Sequence, residues 1–255
     1  MASYAYDQEW KDERERLAGI ERLWDSGSHA LLDRLGVSSG WRCIEVGAGA
    51  GSMVEWLSDK VGPSGSVTAV DVSTRFLEAI DKPNVQVLRQ DVLDEDLPTG
   101  FELVYGRLVV EHLGTPALER MVAAAAPGGL VVLEDYDWAA ADVFPPDPLF
   151  QRVLDAVTGF MERAGYDRFF GRRIFSELRA AGLEDVQAEA RARVIQGGTP
   201  ETAFYRLSLE SLRDPIVASG ALTGTEVDEA LQRIDDPATT YVSPLMVCAW
   251  GRKRP

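Results

Sequence analysis

A cluster of glycines follows an acidic residue near the start of the chain. Glu45 precedes Gly47, Gly49 and Gly51, which occupy every second position. Such glycines let a backbone loop approach a ligand where a Cβ atom would collide, and the N–H groups of a following helix then point at that ligand. Asp71 follows the next apolar segment, where a carboxylate can accept hydrogen bonds from a ribose diol. The spacing therefore predicts a site for a ligand that contains a ribose.

Alternating strand and helix patterns must position these residues. From residue 41 onward the alternation predicts an α/β fold, a doubly wound and mostly parallel sheet with helices on both faces. We expect the first five strands at Trp41–Val46, Ser66–Val70, Val85–Leu88, Phe101–Tyr105 and Leu130–Leu133. Helices are expected at 53–61, around 76–80 and around 118–125. Two later strands are expected at Asp185–Ile195 and Tyr241–Trp250.

The segments outside this alternation predict a lid and a cap. Residues 1–40 are expected to form an N-terminal helical lid of two helices, the second ending at Gly36, with Tyr4, Tyr6 and Trp10 available to close over the site. Residues 41–138 form the α/β core and residues 139–182 a helical cap insertion, whose main helix spans 149–163. Residues 183–255 complete the core sheet, with a helical insertion at 199–236.

Composition limits the classes of function. The 255 residues are 45% hydrophobic and 26% charged, as in ordinary soluble proteins, and no apolar run reaches the roughly 18 residues of a membrane span. The first 25 residues lack the apolar centre of a secretory signal, so we expect a cytoplasmic protein without a membrane partner. The 41 acidic and 26 basic residues give a net charge of −15, which disfavours nucleic-acid substrates.

The two cysteines and two histidines give little support for a metal site. Cys43 and Cys248 both fall in predicted strands, where buried free thiols are expected rather than a disulfide. The two histidines are far apart in the sequence, so no metal site is predicted, although carboxylates alone can bind magnesium.

The glycine segment resembles the first motif of class I S-adenosylmethionine-dependent methyltransferases, in the order Glu45-Val46-Gly47-Ala48-Gly49-Ala50-Gly51. Asp71 stands where that family places its ribose-binding acid, and Asp91-Val92 resembles its adenine-binding pair. Phe101–Tyr105 resembles the fourth motif, and Pro127-Gly128-Gly129-Leu130 the turn into the fifth strand. These matches cover residues 41–138 in the family's order.

The resemblance implies a Rossmann-like methyltransferase fold with a seven-stranded sheet whose last strand is antiparallel. It also implies S-adenosyl-L-methionine as the cofactor. The implied cofactor-binding residues are Glu45, Gly47, Ala48, Gly49, Gly51, Ser52, Asp71, Val72, Asp91, Val92 and Arg107. Arg107 can also be a plain surface arginine or an ion-paired arginine, and Asp71 and Asp91 can be caps of turns or helices.

A nicotinamide or flavin dinucleotide is the alternative ligand for a glycine loop. Its fingerprint requires Gly-x-Gly-x-x-Gly. Counted from Gly47 the last glycine is replaced by Ser52, and counted from Gly49 it is replaced by Val54. The sequence therefore favours the methyl-donor cofactor.

Two residues are candidates for catalysis, although methyl transfer relies largely on alignment of the reacting groups. His112 follows the fourth strand, where a neutral imidazole could deprotonate a hydroxyl, phenol or amine, or simply pack beside the cofactor. Asp135, followed by Tyr136 and Asp137, is expected to leave the fifth strand at the same edge. It could hold a substrate hydroxyl or amine, or belong to a solvated loop.

We therefore expect methyl transfer to an oxygen or nitrogen of a small, mid-sized apolar metabolite by a monomer or homodimer. One alternative is a non-methylating reaction, such as a cyclisation or rearrangement, in which the positive sulfonium only stabilises charge. A second alternative is a non-catalytic binding protein.

Overall fold

A seven-stranded sheet forms the centre of the computed structural model, which describes Tyr6, Asp7 and residues 9–255. The strands are β1 (Arg42–Val46), β2 (Ser66–Asp71), β3 (Val85–Arg89), β4 (Phe101–Arg107), β5 (Ala125–Asp137), β6 (Asp142–Phe144), β7 (Glu184–Arg191), β8 (Val194–Gln196), β9 (Thr240–Val242) and β10 (Leu245–Arg252). The helices are α1 (Glu13–Arg34), α2 (Ser52–Val61), α3 (Val110–Leu113), α4 (Thr115–Ala124), α5 (Pro148–Glu162), α6 (Ile174–Ala180), α7 (Ala203–Ser211), α8 (Arg213–Ala218) and α9 (Gly224–Asp235).

The strand order β3-β2-β1-β4-β5-β10-β7 confirms the predicted doubly wound sheet. The first five strands are parallel, and β10 runs antiparallel to both β5 and β7. Successive residues of one strand enter different cores: Leu103 and Tyr105 pack on one face of the sheet and Val104 on the other. Burial of both faces explains the nearly continuous apolar strands.

The N-terminal segment differs from its prediction. One continuous helix, α1, replaces the two expected helices. It continues through Gly27 and Ser28 because both make tertiary contacts. A Cβ at Gly27 would lie 2.6 Å from Nε of Arg191, and Ser28 hydrogen-bonds to Glu134 of β5 at 2.6 Å. Tyr4 lies outside the described residues.

The helix expected around 76–80 is also absent, since the chain forms only a 3-10 turn at Leu77–Ala79. Pro83 follows closely and cannot donate a backbone N–H to a further helical turn. The connection between β2 and β3 is therefore short, and Leu77 packs against the glycine loop.

Both late strands are split. Arg193 and Ser243 divide them, and the two residues hydrogen-bond to each other through N–H to O contacts of 2.9 Å. The pieces β8 and β9 join β6 in a second sheet of order β6-β9-β8 that the sequence did not predict. Its buried side chains Val143, Ile195 and Tyr241 pack into the core on the cavity side of the main sheet.

Helix α6 packs on the main sheet, against β10 and β7, with Ile174 and Leu178 fully buried. Cys43 and Cys248 are buried free thiols. Among the helices of residues 9–255, none is long and apolar enough to cross a membrane.

Candidate active site at the carboxyl edge of the sheet

A cavity of about 690 Å³ lies above the carboxyl ends of β1, β2 and β4, where the strand order reverses. Open α/β sheets bind their ligands at this position, and the volume falls in the range of small-molecule sites. One part of the wall consists of the glycine loop and the strand ends. The other part consists of α1, α5, α7, α9 and β9.

The glycine loop needs its glycines for two different reasons. Gly47 has φ 71°, and a Cβ there would lie 2.2 Å from Cγ2 of Val109. Gly49 has φ 55°, yet a Cβ there would have no neighbour closer than 3.9 Å. Gly49 therefore leaves space open on the cavity wall. The N–H groups of Gly47 and Ala48 donate to the carbonyl of Val70, which fixes the loop to β2.

Asp71 ends β2, and its carboxylate also fixes the glycine loop. Its Oδ2 accepts the N–H of Gly49 at 2.9 Å and its Oδ1 that of Ser73 at 3.0 Å. Burial raises the pKa of the Asp71 carboxyl, while these backbone donors lower it. Val72 and Ser52, the latter at the start of α2, also line the cavity. The carboxylate is thus oriented before any ligand binds.

Glu45 is a buried acid on the cavity wall, only 4% exposed. Its Oε2 has no hydrogen-bond partner among the described residues. Burial raises the pKa of Glu45 well above its usual range, and Arg107 is the main charge that opposes this shift. An unpaired buried carboxylate oxygen is energetically unfavourable, so this position suits the ammonium of a zwitterionic methionine tail.

Arg107 ends β4 and binds α1. Its guanidinium donates to Asp25 at 2.8 Å and to Ser28 at 3.2 Å. The side chain is therefore ion-paired, as the alternative prediction for Arg107 stated. The next residue, Leu108, has φ 57° in the left-handed region, and it also lines the cavity. Such backbone strain is concentrated at functional sites, and no sequence signal predicted it.

Asp91 and Val92 follow β3 and also line the cavity. Oδ1 of Asp91 accepts the N–H of Leu93 at 2.8 Å, so the residue caps its turn. Val92 is 4% exposed and packs in the core on the other side of the sheet. The structure therefore brings the expected ribose and adenine residues to one wall.

His112 lies in α3 and lines the same cavity. Its ring centroid is 4.7 Å from that of Tyr166. Burial lowers the pKa of His112 to about 3, and the charge of Arg16 contributes to the shift. The imidazole is therefore neutral at physiological pH, but it is a weak base.

Asp135 lies within β5, so the prediction that it leaves the strand in a loop is wrong. The residue is not part of the cavity wall. Its Oδ1 accepts the N–H of Val109 at 3.0 Å, which fixes the entry into α3. Burial raises the pKa of Asp135 to about 7. Tyr136 lines the cavity instead, and Asp137 pairs with Arg172 at 2.6 Å.

Glu111 is a cavity residue that sequence reasoning missed. Its Oε2 accepts the N–H of Tyr136 at 2.7 Å, and Tyr166 donates to the same carboxyl group. Burial and the neighbouring Asp135 raise the pKa of Glu111 well above its usual range. In the sequence, the only indication of its place in the site is that it directly precedes His112. Across the described part of the chain, no group of three or more histidine, cysteine or acidic residues is arranged to hold a metal ion.

Comparison with known proteins agrees with this geometry. A profile of the family described as a methyltransferase domain matches residues 3–188. The chain belongs to the class I S-adenosylmethionine-dependent methyltransferases. The expected family and its seven-stranded fold are thereby confirmed.

Relatives of this methyltransferase have several different names. It is 31% identical to methyltransferase str2 of Strobilurus tenacellus over 55% of the chain and 52% of that protein. It is 26% identical to the ubiquinone/menaquinone biosynthesis C-methyltransferase UbiE of Pseudomonas putida strain GB-1 over 78% of each chain. The chain spans little more than half the length of the first curated relatives that it matches.

The solved structures support the fold. Phosphoethanolamine N-methyltransferase 2 of Haemonchus contortus superposes with a TM-score of 0.56 at 18% identity. The match covers 91% of this methyltransferase and 53% of that chain, which was solved with phosphomonomethylethanolamine and S-adenosylhomocysteine.

Proposed function

We propose that this methyltransferase transfers the methyl group of S-adenosyl-L-methionine to an oxygen or nitrogen of a small apolar acceptor. The observation that carries the proposal is a single cavity with two kinds of wall. A polar wall contains the glycine loop, Glu45 and Asp71, and an apolar wall is formed by α5 of the cap together with α7 and α9. In this proposal the described part of residues 1–40 is the lid, 41–138 the cofactor-binding core and 139–182 the cap, except that α6 packs on the main sheet.

Each residue of the polar wall would bind a different part of the cofactor. Asp71 would accept the ribose hydroxyls, Asp91 and Val92 would bind adenine, and Glu45 would pair with the ammonium of the methionine tail. Gly49 would leave room for the sugar because it has no Cβ. When bound, the cofactor supplies a methyl group on a positively charged sulfur. The residues of the chain bind and align the two reactants and exclude water.

The apolar wall supports a small and largely hydrophobic acceptor. Six of its side chains are aliphatic, aromatic or thioether groups: Leu149, Phe150, Val153, Leu154, Val157 and Met161 of α5. Their burial against an apolar ligand would stabilise the complex by about 25 cal/mol for each Å² removed from water. The net charge of −15 further supports a small molecule over a nucleic acid.

His112 would contact the hydroxyl or amine of the acceptor, because its neutral imidazole lines the cavity. Asp135 would act as a positioning residue, since its hydrogen bond to the N–H of Val109 fixes the helix that carries His112. With its pKa near 3, His112 would orient a hydroxyl or amine more effectively than it would hold the proton.

A carbon acceptor is the second candidate. The similarity to UbiE of Pseudomonas putida, a named C-methyltransferase, extends over 78% of both chains and favours this possibility. An activated ring carbon requires the same alignment of acceptor and methyl group, so the cavity suits it equally.

To test the proposal, the protein is incubated with methyl-labelled S-adenosylmethionine and a panel of phenols, amines and activated aromatic compounds. We expect S-adenosylhomocysteine to form with at least one class, and mass spectrometry and NMR of the product then identify the methylated atom. Gly49→Val is the control that blocks the polar wall. Cofactor binding without S-adenosylhomocysteine formation would favour the non-methylating alternative, and failure to bind the cofactor would favour the non-catalytic one.

A further inference from the structure

Helix α7 brings two residues that carry hydroxyl groups to the apolar wall of the cavity. Tyr205 and Ser208 are three residues apart, so both are on one face of the helix, and both line the cavity. The Oη of Tyr205 and the Oγ of Ser208 are buried and have no hydrogen-bond partner among the described residues. Ser208 as a whole is 5% exposed.

Unpaired buried hydroxyls are unusual because each one loses its hydrogen bonds to water without replacement. Burial alone raises the pKa of Tyr205, and no charged group contributes to the shift. The phenol therefore stays protonated and can donate a hydrogen bond. The Ser208 hydroxyl can both donate and accept.

Helix α7 holds these hydroxyls in a fixed position. Its first turn packs directly on α1, where a Cβ at Gly19 would lie 2.5 Å from the backbone nitrogen of Phe204. The absence of a side chain at Gly19 permits this close contact between the two helices. Tyr205 and Ser208 therefore lie on a packed helix rather than on a surface loop.

The charges around the cavity distinguish between possible ligands. Three arginines on its wall are each paired with a carboxylate: Arg16 with Glu13 at 2.6 Å, Arg107 with Asp25 at 2.8 Å and Arg233 with Asp147 at 3.4 Å. A phosphate or carboxylate on the acceptor would have to compete with these acids for its counterion. A neutral polar group meets no such competition.

We propose that Tyr205 and Ser208 bind a neutral hydroxyl or carbonyl group of the acceptor, and that anionic acceptors are rejected. This inference rests on the proposed function only in assigning the apolar wall to the acceptor. Under it, α7 sets acceptor specificity while the strand ends bind the cofactor.

The test measures binding rather than turnover. The protein is saturated with S-adenosylhomocysteine and titrated by NMR with 1-naphthol, naphthalene and 1-naphthyl phosphate, three probes that share one apolar body. We expect 1-naphthol to bind about 10-fold more tightly than naphthalene, and the phosphate more weakly than either.

The double variant Tyr205→Phe, Ser208→Ala should lower the affinity for 1-naphthol to that of naphthalene without changing naphthalene binding. Ser211→Ala is the matched control, because its hydroxyl bonds to the carbonyl of Ser208 and it is outside the cavity wall. Thermal unfolding confirms that the variants are folded.

A preference for 1-naphthol that survives in the double variant would overturn the inference. Tightest binding of the phosphate, or failure of 1-naphthol to bind, would also overturn it. Failure of the proposed function is observed separately, as absence of S-adenosylhomocysteine binding in the first step or of methyl transfer in the activity assay.

Discussion

Replacing Asp71 with alanine tests the ribose assignment. The carboxylate fixes Gly49 and Ser73 through N–H bonds of 2.9 and 3.0 Å, and it remains available to accept from a ligand. Hydrogen bonds to a charged group contribute about 1.5–3 kcal/mol. Asp71→Ala should therefore weaken cofactor binding by about 10- to 100-fold, since 1.4 kcal/mol corresponds to a factor of ten.

Isothermal titration calorimetry with S-adenosylhomocysteine measures this change. Asp71→Asn keeps one acceptor oxygen and should give an intermediate affinity. Asp81→Ala removes an exposed acid from the connection that follows β2 and should bind like the unmodified protein. An unchanged affinity in Asp71→Ala, with the fold intact, would refute the assignment of Asp71 to the ribose.

Three further predictions concern folding stability. Burial lowers the pKa of His112 to about 3, so between about pH 6.5 and pH 3 only the unfolded chain takes up this proton. The free energy of unfolding therefore decreases as the pH is lowered through this range. Relative to His112→Gln, the protein should lose about 2 kcal/mol between about pH 7 and pH 5 in urea titrations; parallel profiles would contradict this shift. Arg191→Met leaves the fully buried Glu134 without its counterion and should cost about 3–5 kcal/mol in urea unfolding, whereas a change under about 1 kcal/mol would contradict a structural role. Gly47→Ala should lower the melting temperature more than Gly36→Ala: both positions have positive φ, but only the methyl at Gly47 meets a side chain, at 2.2 Å, so equal melting temperatures would exclude the clash.

The sequence predicted those parts of the protein whose local chemistry allows few alternatives. The glycine loop requires positive φ at Gly47 and Gly49, and β1 and β2 are short apolar segments with clear ends. These features depend on a few neighbouring residues, so the local sequence pattern was sufficient to predict them.

Polar residues that owe their burial to distant partners were not predictable. Glu134, Asp135 and Asp137 make the end of β5 look like a solvated loop, yet all three are at most 5% exposed. Glu134 pairs with Arg191, which is 57 residues away in the sequence, and Asp137 pairs with Arg172. No local pattern carries that information.

The second sheet and the apolar wall of the cavity could not be predicted either, for the same reason. Strand β6 has three residues, which is too short for a periodic signal. Strands β8 and β9 are the ends of the two predicted late strands, but the pattern does not mark the breaks at Arg193 and Ser243. Tyr205 and Ser208 read as ordinary helix residues in the sequence. Only the packing of α7 over the cavity shows that their hydroxyls lack partners.

The central claim is that the cavity above the glycine loop binds S-adenosylmethionine. Its most direct test is a crystal structure of the protein grown with S-adenosylhomocysteine. We predict electron density for the ligand along Gly47–Gly51, with the ribose hydroxyls at Asp71 and the amino group at Glu45. Density at another site, or side chains that fill this cavity in the presence of saturating ligand, would contradict the account.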